Sequence, residues 1–286
     1  MKRSIIILAL TLIGVSAFSF KVSAEEKESN FTFEIGADVV SSYLWRGQNL
    51  GGLSIQPSVT LDWKGIYICG WANIGADNWK FQEFNPELDI TIGYDNYGVK
   101  LDLTHFYYFY GDKYFKGLED PNNQFSSSTM ELHAGLDVGE WTEIVPLTLD
   151  WYTTVLGYDP VFDENDKLVI NENGNAKRAF STYIELGYDI TLPLDIILGL
   201  KVGFTPWKGM FTEYKEVWNS GQTVGLNNLQ LRAEREFELK RVCFNIWGEV
   251  MFNCYGVTKN NIINIFGEGA TQKLNAGLGV GIYFGN

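Results

Sequence analysis

The sequence predicts an all-β fold, a transmembrane antiparallel up-and-down β-barrel of about twelve strands. Three observations predict it. Apolar and polar residues alternate with period two along most of the chain, the connectors are short and long by turns, and aromatic residues recur at segment ends. A strand points successive side chains to opposite faces, so period two gives each segment one apolar and one polar face. Short turns at one end and long loops at the other are the habit of barrels that cross a membrane, and a soluble sandwich has no reason to adopt it.

Residues 1–24 stand apart from this pattern. Lys2 and Arg3 precede an apolar run from Ile5 to Phe20, and Val22-Ser23-Ala24 follows. That order is a secretory signal with a small-residue cleavage site, the apolar run being too short and too early to span as a helix. The expected mature chain, residues 25–286, is one barrel domain.

The opening segment puts Phe31, Phe33, Ile35, Ala37, Val39, Tyr43 and Trp45 on one parity, against Thr32, Glu34, Asp38, Ser42 and Arg46 on the other. The next, "LSIQPSVTLDW", sets Leu53, Ile55, Pro57, Val59, Leu61 and Trp63 against Ser54, Gln56, Ser58, Thr60 and Asp62. Pro57 has no N–H for the ladder, so a bulge is expected there. Leu88, Ile90, Ile92 and Tyr94 then oppose Glu87, Asp89 and Thr91, and Val99, Leu101 and Leu103 oppose Lys100, Asp102 and Thr104. Met130, Leu132, Leu136 and Val138 oppose Glu131, His133 and Asp137, and Phe180, Ile184, Leu186 and Tyr188 oppose Ser181, Glu185 and Asp189. Less regular runs near 66–75, 147–158, 196–206, 226–238 and 242–252 are read as strands too. Leu274, Leu278, Val280, Ile282 and Phe284 form the outer face of the last.

Lys64-Gly65, Asn96-Tyr97-Gly98 and Leu239-Lys240-Arg241 are the short connectors. The long ones cover roughly 76–85, 111–127, 159–178, 207–223 and 253–271. Trp45, Trp63, Tyr94, Trp151, Tyr188, Trp207 and Phe237 stand near strand ends, where an apolar ring with a polar tip suits a membrane interface.

The formal net charge is −13, and the first 24 residues carry three basic side chains and no acidic one, so the remainder is more acidic still. That argues against nucleic acid as a partner and against binding anionic lipid through a basic patch. Cys69, Cys243 and Cys254 have neither disulfide nor zinc spacing and read as incidental thiols. The stretch 163–175 lacks the glycine and the glutamate of a calcium loop, with Leu168 and Gly174 in their places, and reads as a solvated external loop.

Several stretches carry a family resemblance: "SSYLWRGQ" (41–48), Pro57, "GIYICGWANIG" (65–75), "ELDITIGY" (87–94), "DLTHFYYFYGD" (102–112) and "STMELHAGLDVG" (128–139). In these the chain resembles the TorF-type porins, a group of bacterial outer-membrane barrels. The resemblance covers the first half of the mature chain and implies an outer-membrane barrel and a pore. It lends no substrate and no catalytic residues. Outer-membrane barrels usually end on an aromatic residue, whereas here Phe284 is followed by Gly285 and Asn286.

Parity assigns the lumen. Arg46 falls there with Lys100, Lys201 and Arg232, among carboxylates that include Asp38, Glu87, Asp89, Asp102, Glu131, Asp150, Glu185 and Glu249. Pore-lining residues are expected at Arg46, Glu87, Asp89, Lys100, Asp102, Glu131, Glu185, Lys201 and Glu249, with Arg46 either steering solutes or bracing the first turn. The leading expectation is a porin in the Gram-negative outer membrane that passes small polar or cationic solutes by passive diffusion, with no cofactor, metal or catalytic group. Its partners would be outer-membrane lipids, the barrel-assembly machinery and those solutes. One alternative is a non-conducting structural or adhesive barrel with partner-binding external loops. Another is a membrane-embedded lipid hydrolase built on His105 or His133, the two histidines of the chain. A soluble secreted β-protein is the rival architecture.

Overall fold

The computed structural model describes residues 31–76, 86–108, 128–142, 145–163, 167–211, 224–253 and 273–285. Among them are β1 (Phe31–Val40), β2 (Tyr43–Trp45), β3 (Gln48–Gly51), β4 (Ser54–Trp63), β5 (Ile66–Gly75), β6 (Glu87–Asn96) and β7 (Val99–Tyr108). There follow β8 (Ser128–Asp137), β9 (Leu147–Gly157), β10 (Thr182–Leu192), β11 (Ile196–Thr205), β12 (Gly225–Leu239), β13 (Val242–Phe252) and β14 (Leu274–Gly285). The signal-like residues 1–24, Cys254 and most of the long connectors lie outside the described residues.

Twelve of these strands close into an antiparallel barrel. Neighbours in the chain are neighbours in the wall, and the ring is sealed because β1 pairs with both β4 and β14: Val39 faces Ile55 on one side and Val280 on the other. A closed wall has no edge and satisfies its backbone internally, which is what a strand-built membrane span requires.

The side chains are sorted inside out relative to a soluble protein. Ile35, Leu61, Ile68, Ile92, Leu101, Leu132 and Val280 face outward and exposed, whereas Asp102, Glu131, His133, Glu185 and Asn228 are buried inside. Such an apolar outer band around a polar interior is stable in lipid and not in water. At the short-turn end Trp63, Tyr94, Tyr97 and Phe237 point outward as an aromatic rim.

Two of the short turns share one chemistry. Lys64-Gly65 and Tyr97-Gly98 are two-residue connections in which both residues have positive φ (55° and 87°, 55° and 70°). That conformation matches the twist of the flanking strands and favours glycine at its second position.

Two expectations are corrected here. Pro57 makes no bulge: Ile55 pairs with Ile74 and Ser58 with Trp71, so the register runs through the proline unbroken. The ladder lapses only at Gln56 and Pro57, where the Gln56 Nε2 donates to Asn73 Oδ1 at 3.0 Å instead. Register shifts in the wall fall elsewhere, at Met130/Glu131 and Gly203/Phe204. Secondly, Tyr43, Trp45 and Arg46 do not extend β1. The wall strand stops at Val40, and β2 and β3 form a separate hairpin.

Candidate functional site

The hairpin turns at Arg46-Gly47 between paired Trp45 and Gln48, again with both φ positive, 48° and 80°. This is the X-Gly turn of Lys64-Gly65 and Tyr97-Gly98, used inside the barrel. Its base lies at the wall beside β14, where Leu44 approaches Gly277 and Ser41 exchanges hydrogen bonds with Leu278. Its tip reaches the opposite wall: β9 is six strands from β1 in either direction round the ring, and the tip contacts β8, β9 and β10. The hairpin therefore crosses the lumen.

Arg46 makes the far contact. Its Nη1 and Nη2 donate to Glu131 Oε2 and Oε1 at 2.6 and 2.7 Å, a bidentate pair with both residues buried. Its Cζ lies 4.1 Å from the ring centre of Tyr152, 4.4 Å from Trp45, 4.9 Å from Tyr183 and 5.1 Å from Phe211. A weakly hydrated planar cation with a fixed fork of donors suits such a place better than lysine would. Stranding either charge by removing its partner costs about 3–5 kcal/mol.

Three of these four aromatic residues belong to the barrel side of the contact and have anchors other than Arg46. Tyr183 donates to Glu185 at 2.7 Å and accepts from Asn228. The Asn227 side chain donates to the Phe211 carbonyl and accepts from Thr205. Tyr152 stacks on His133 at 4.2 Å, and both ring nitrogens of His133 lie 2.8 Å from carboxylates, Asp102 and Asp150.

A cavity of about 590 Å³ adjoins the hairpin. Of the expected pore residues, Arg46, Lys100, Asp102, Glu131, Glu185, Lys201 and Glu249 line it. Glu87 and Asp89 do not: they are buried next to Tyr43, whose hydroxyl hydrogen-bonds Glu87. Lysines and carboxylates on the wall pair with neighbours, Lys201 with Glu185 at 2.8 Å and Lys100 with Asp95 at 3.3 Å. Glu249 accepts from Gln230 at 2.7 Å. Cavity-lining carboxylates number five (Asp38, Asp102, Glu131, Glu185, Glu249) against four basic side chains (Arg46, Lys100, Lys201, Arg232). The strongly acidic lumen expected from parity is thus nearly balanced where the cavity lies.

Beyond the strands, Asp159 and Ser181 tie the connector after β9 to the start of β10. Asp159 is buried and accepts from both the backbone N–H and the hydroxyl of Ser181. Ser181 Oγ in turn accepts from the Met210 N–H at 2.7 Å. Burial pushes the Asp159 carboxyl up to about 6, against the Ser181 hydrogen bonds that hold it down. The adjoining segment includes the calcium-like stretch, of which residues 164–166 lie outside the described residues; Asn171 Oδ1 there accepts from the Asn173 and Asn175 N–H groups.

Trp45, expected at the interface, instead packs in the lumen against Phe106 and Phe211. His105 keeps its outward parity yet is buried, next to Tyr107. Sequence reasoning missed Tyr152, Tyr183 and Phe211. The first two share parity with Asp150 and Glu185, and aromatic rings on a polar face were the available clue. Phe211 follows β11 without periodicity and offers none.

The family Gcw_chp, described as "Bacterial protein of unknown function", matches residues 24–233. No curated protein matches. Among solved structures the chain is similar to the NanC porin (7% identity, TM-score 0.44, 88% of this chain and 98% of that one). It is also similar to an outer-membrane channel from Pseudomonas putida F1 (10%, 0.40, 94% and 100%). A third is outer membrane phospholipase A from Escherichia coli (11%, 0.36, 88% and 92%).

Proposed function

We propose that the chain, which belongs to the Gcw_chp family of bacterial proteins of unknown function, is a narrow outer-membrane channel passing small polar solutes by passive diffusion. The carrying observation is the polar cavity of about 590 Å³ inside a closed barrel, with a hairpin rather than a packed core above it. In this reading Arg46 and Glu131 set the bore, and the near balance of lining charge makes selectivity between small cations and anions weak. The resemblance to TorF-type porins, carried by residues within 41–139, falls inside the stretch matched by the family and supports a porin. Export through a cleaved signal at residues 1–24, insertion by the barrel-assembly machinery and a setting of outer-membrane lipids complete the reading.

A non-conducting barrel is the second reading, favoured by the hairpin pinned across the lumen. Hydrolysis finds little support at His133, because both of its nitrogens are engaged by Asp102 and Asp150 and neither is left to take a proton from a hydroxyl.

Cys69 provides the test, since it lines the cavity. In a Cys243→Ser/Cys254→Ser background, a small water-soluble methanethiosulfonate should modify Cys69 in the folded barrel and reduce conductance steps in a planar bilayer. A folded, unreactive barrel that never conducts selects the second reading.

A further inference from the structure

We propose that the place filled by Arg46 is a guanidinium-binding site of the barrel wall, and that a small guanidinium solute competes with Arg46 for it and releases the hairpin. The release half rests on the channel reading; the binding half does not.

The site is separable from its occupant. Glu131 belongs to β8, Tyr152 to β9 and Tyr183 to β10, and Phe211 follows β11; Trp45 alone among the contacts travels with the hairpin. Withdrawing Arg46 would leave a carboxylate and three rings: Tyr183 held by Glu185 and Asn228, Tyr152 stacked on His133, and Phe211 anchored at its backbone carbonyl by Asn227 with its ring against Tyr183. A carboxylate that accepts two parallel N–H bonds, beneath aromatic faces, recognises a planar guanidinium by shape, charge and ring electrons together. An ammonium offers a point charge and no fork, so it fits less well.

The occupant is tethered rather than fixed in the wall: Arg46 sits at the tip of a two-residue turn, with φ of 48°. That tether gives it a high effective concentration, which a free solute must match to compete. The cavity of about 590 Å³ is lined by both Arg46 and Glu131, so a solute in the lumen meets the site directly.

The experiment is calorimetric titration of the barrel in detergent micelles with methylguanidinium, and with methylammonium as comparator. Heat-modifiable gel migration checks the fold of every variant. Arg46→Ala should bind methylguanidinium roughly tenfold or more tightly than methylammonium, as the loss of one charge-assisted bond implies. Arg46→Gly, which keeps the positive-φ turn without strain, should do the same. Adding Glu131→Gln to either should abolish the preference. In wild type, methylguanidinium should raise open-channel conductance or open time where methylammonium does not. Folded Arg46→Ala and Arg46→Gly barrels that show no preference, or a preference indifferent to Glu131→Gln, overturn the site. Binding without conductance in any variant leaves the site standing and sinks the channel; conductance without binding does the reverse.

Discussion

Gly47 lies directly against the backbone carbonyl of Asn227, in a space that no Cβ could enter. The contact joins the hairpin tip to the start of β12, and the Asn227 side chain holds Phe211. Gly47 has φ of 80°. Gly47→Ala would cost roughly 1–2 kcal/mol in left-handed backbone strain alone, before the clash. The hairpin is outside the wall, so the barrel should still fold and migrate heat-modifiably while the tip leaves its seat. Larger conductance steps than wild type are expected; unchanged steps would mean the hairpin does not set the bore.

His133 bridges two strands' carboxylates, Asp102 and Asp150, while stacking on Tyr152. His133→Phe keeps a ring on Tyr152 and leaves the two carboxylates unbridged. Asp102 keeps the Tyr67 hydroxyl as a donor, so the main loss is at Asp150; one stranded hydrogen-bonding group costs about 1–3 kcal/mol, and urea unfolding in lipid vesicles should move to lower concentration by an amount in that range. A neutral result would show that water replaces the imidazole fully.

Leu103 stands in the middle of β7, facing outward between Ile92 and Leu132. Leu103→Arg should destabilise the barrel in vesicles by about 2–4 kcal/mol, the cost of an arginine at mid-membrane on the lipid face. A soluble β-protein would accept the same change at an exposed position with little effect. Unfolding free energies of the two chains in vesicles decide it.

Asp159 carries a pH dependence. Its carboxyl is pushed up to about 6 from 3.8 by burial, so the folded state binds the proton more tightly than the unfolded chain. That contribution is complete below about 4 and is lost as pH rises through about 6. Amide exchange at Ala179 and Ser181, whose N–H groups bond to Asp159, should be faster at pH 8 than at pH 5 beyond the intrinsic base catalysis. Asp159→Asn should flatten that excess. An excess that survives the substitution would assign it to another group.

The wall was legible because period two is a property of single strands, and a one-residue slip would turn every side chain to the wrong face. Arg46 shows where such reading ends. Its parity pointed to the lumen, and it is in the lumen, but the route differs: "WRGQ" is a turn like "WKGI" at Trp63–Ile66, and X-Gly was the mark. Its partner Glu131 lies 85 residues away, and no local pattern encodes which lumenal carboxylate will meet which lumenal cation. Phe211 and Asn227 were beyond reach too, since Phe211 follows β11 outside any period-two run and the contact that ties it to Asn227 in the neighbouring β12 is set by the fold of the intervening connector's ends.

The crossing hairpin also bears on the order in which the molecule is made. The first strand completes its second partnership only with the last, through pairs such as Ala37–Ile282, so the wall stays open until the C-terminal strand arrives. A two-stranded finger spanning the interior is hard to thread through a finished ring. The salt link from residue 46 to residue 131 joins parts translated well before β14, and it can draw the finger inward while the seam gapes. Closing the seam and seating the finger are thus separate events in the chain, since neither residue of that salt link belongs to the strand that shuts the wall.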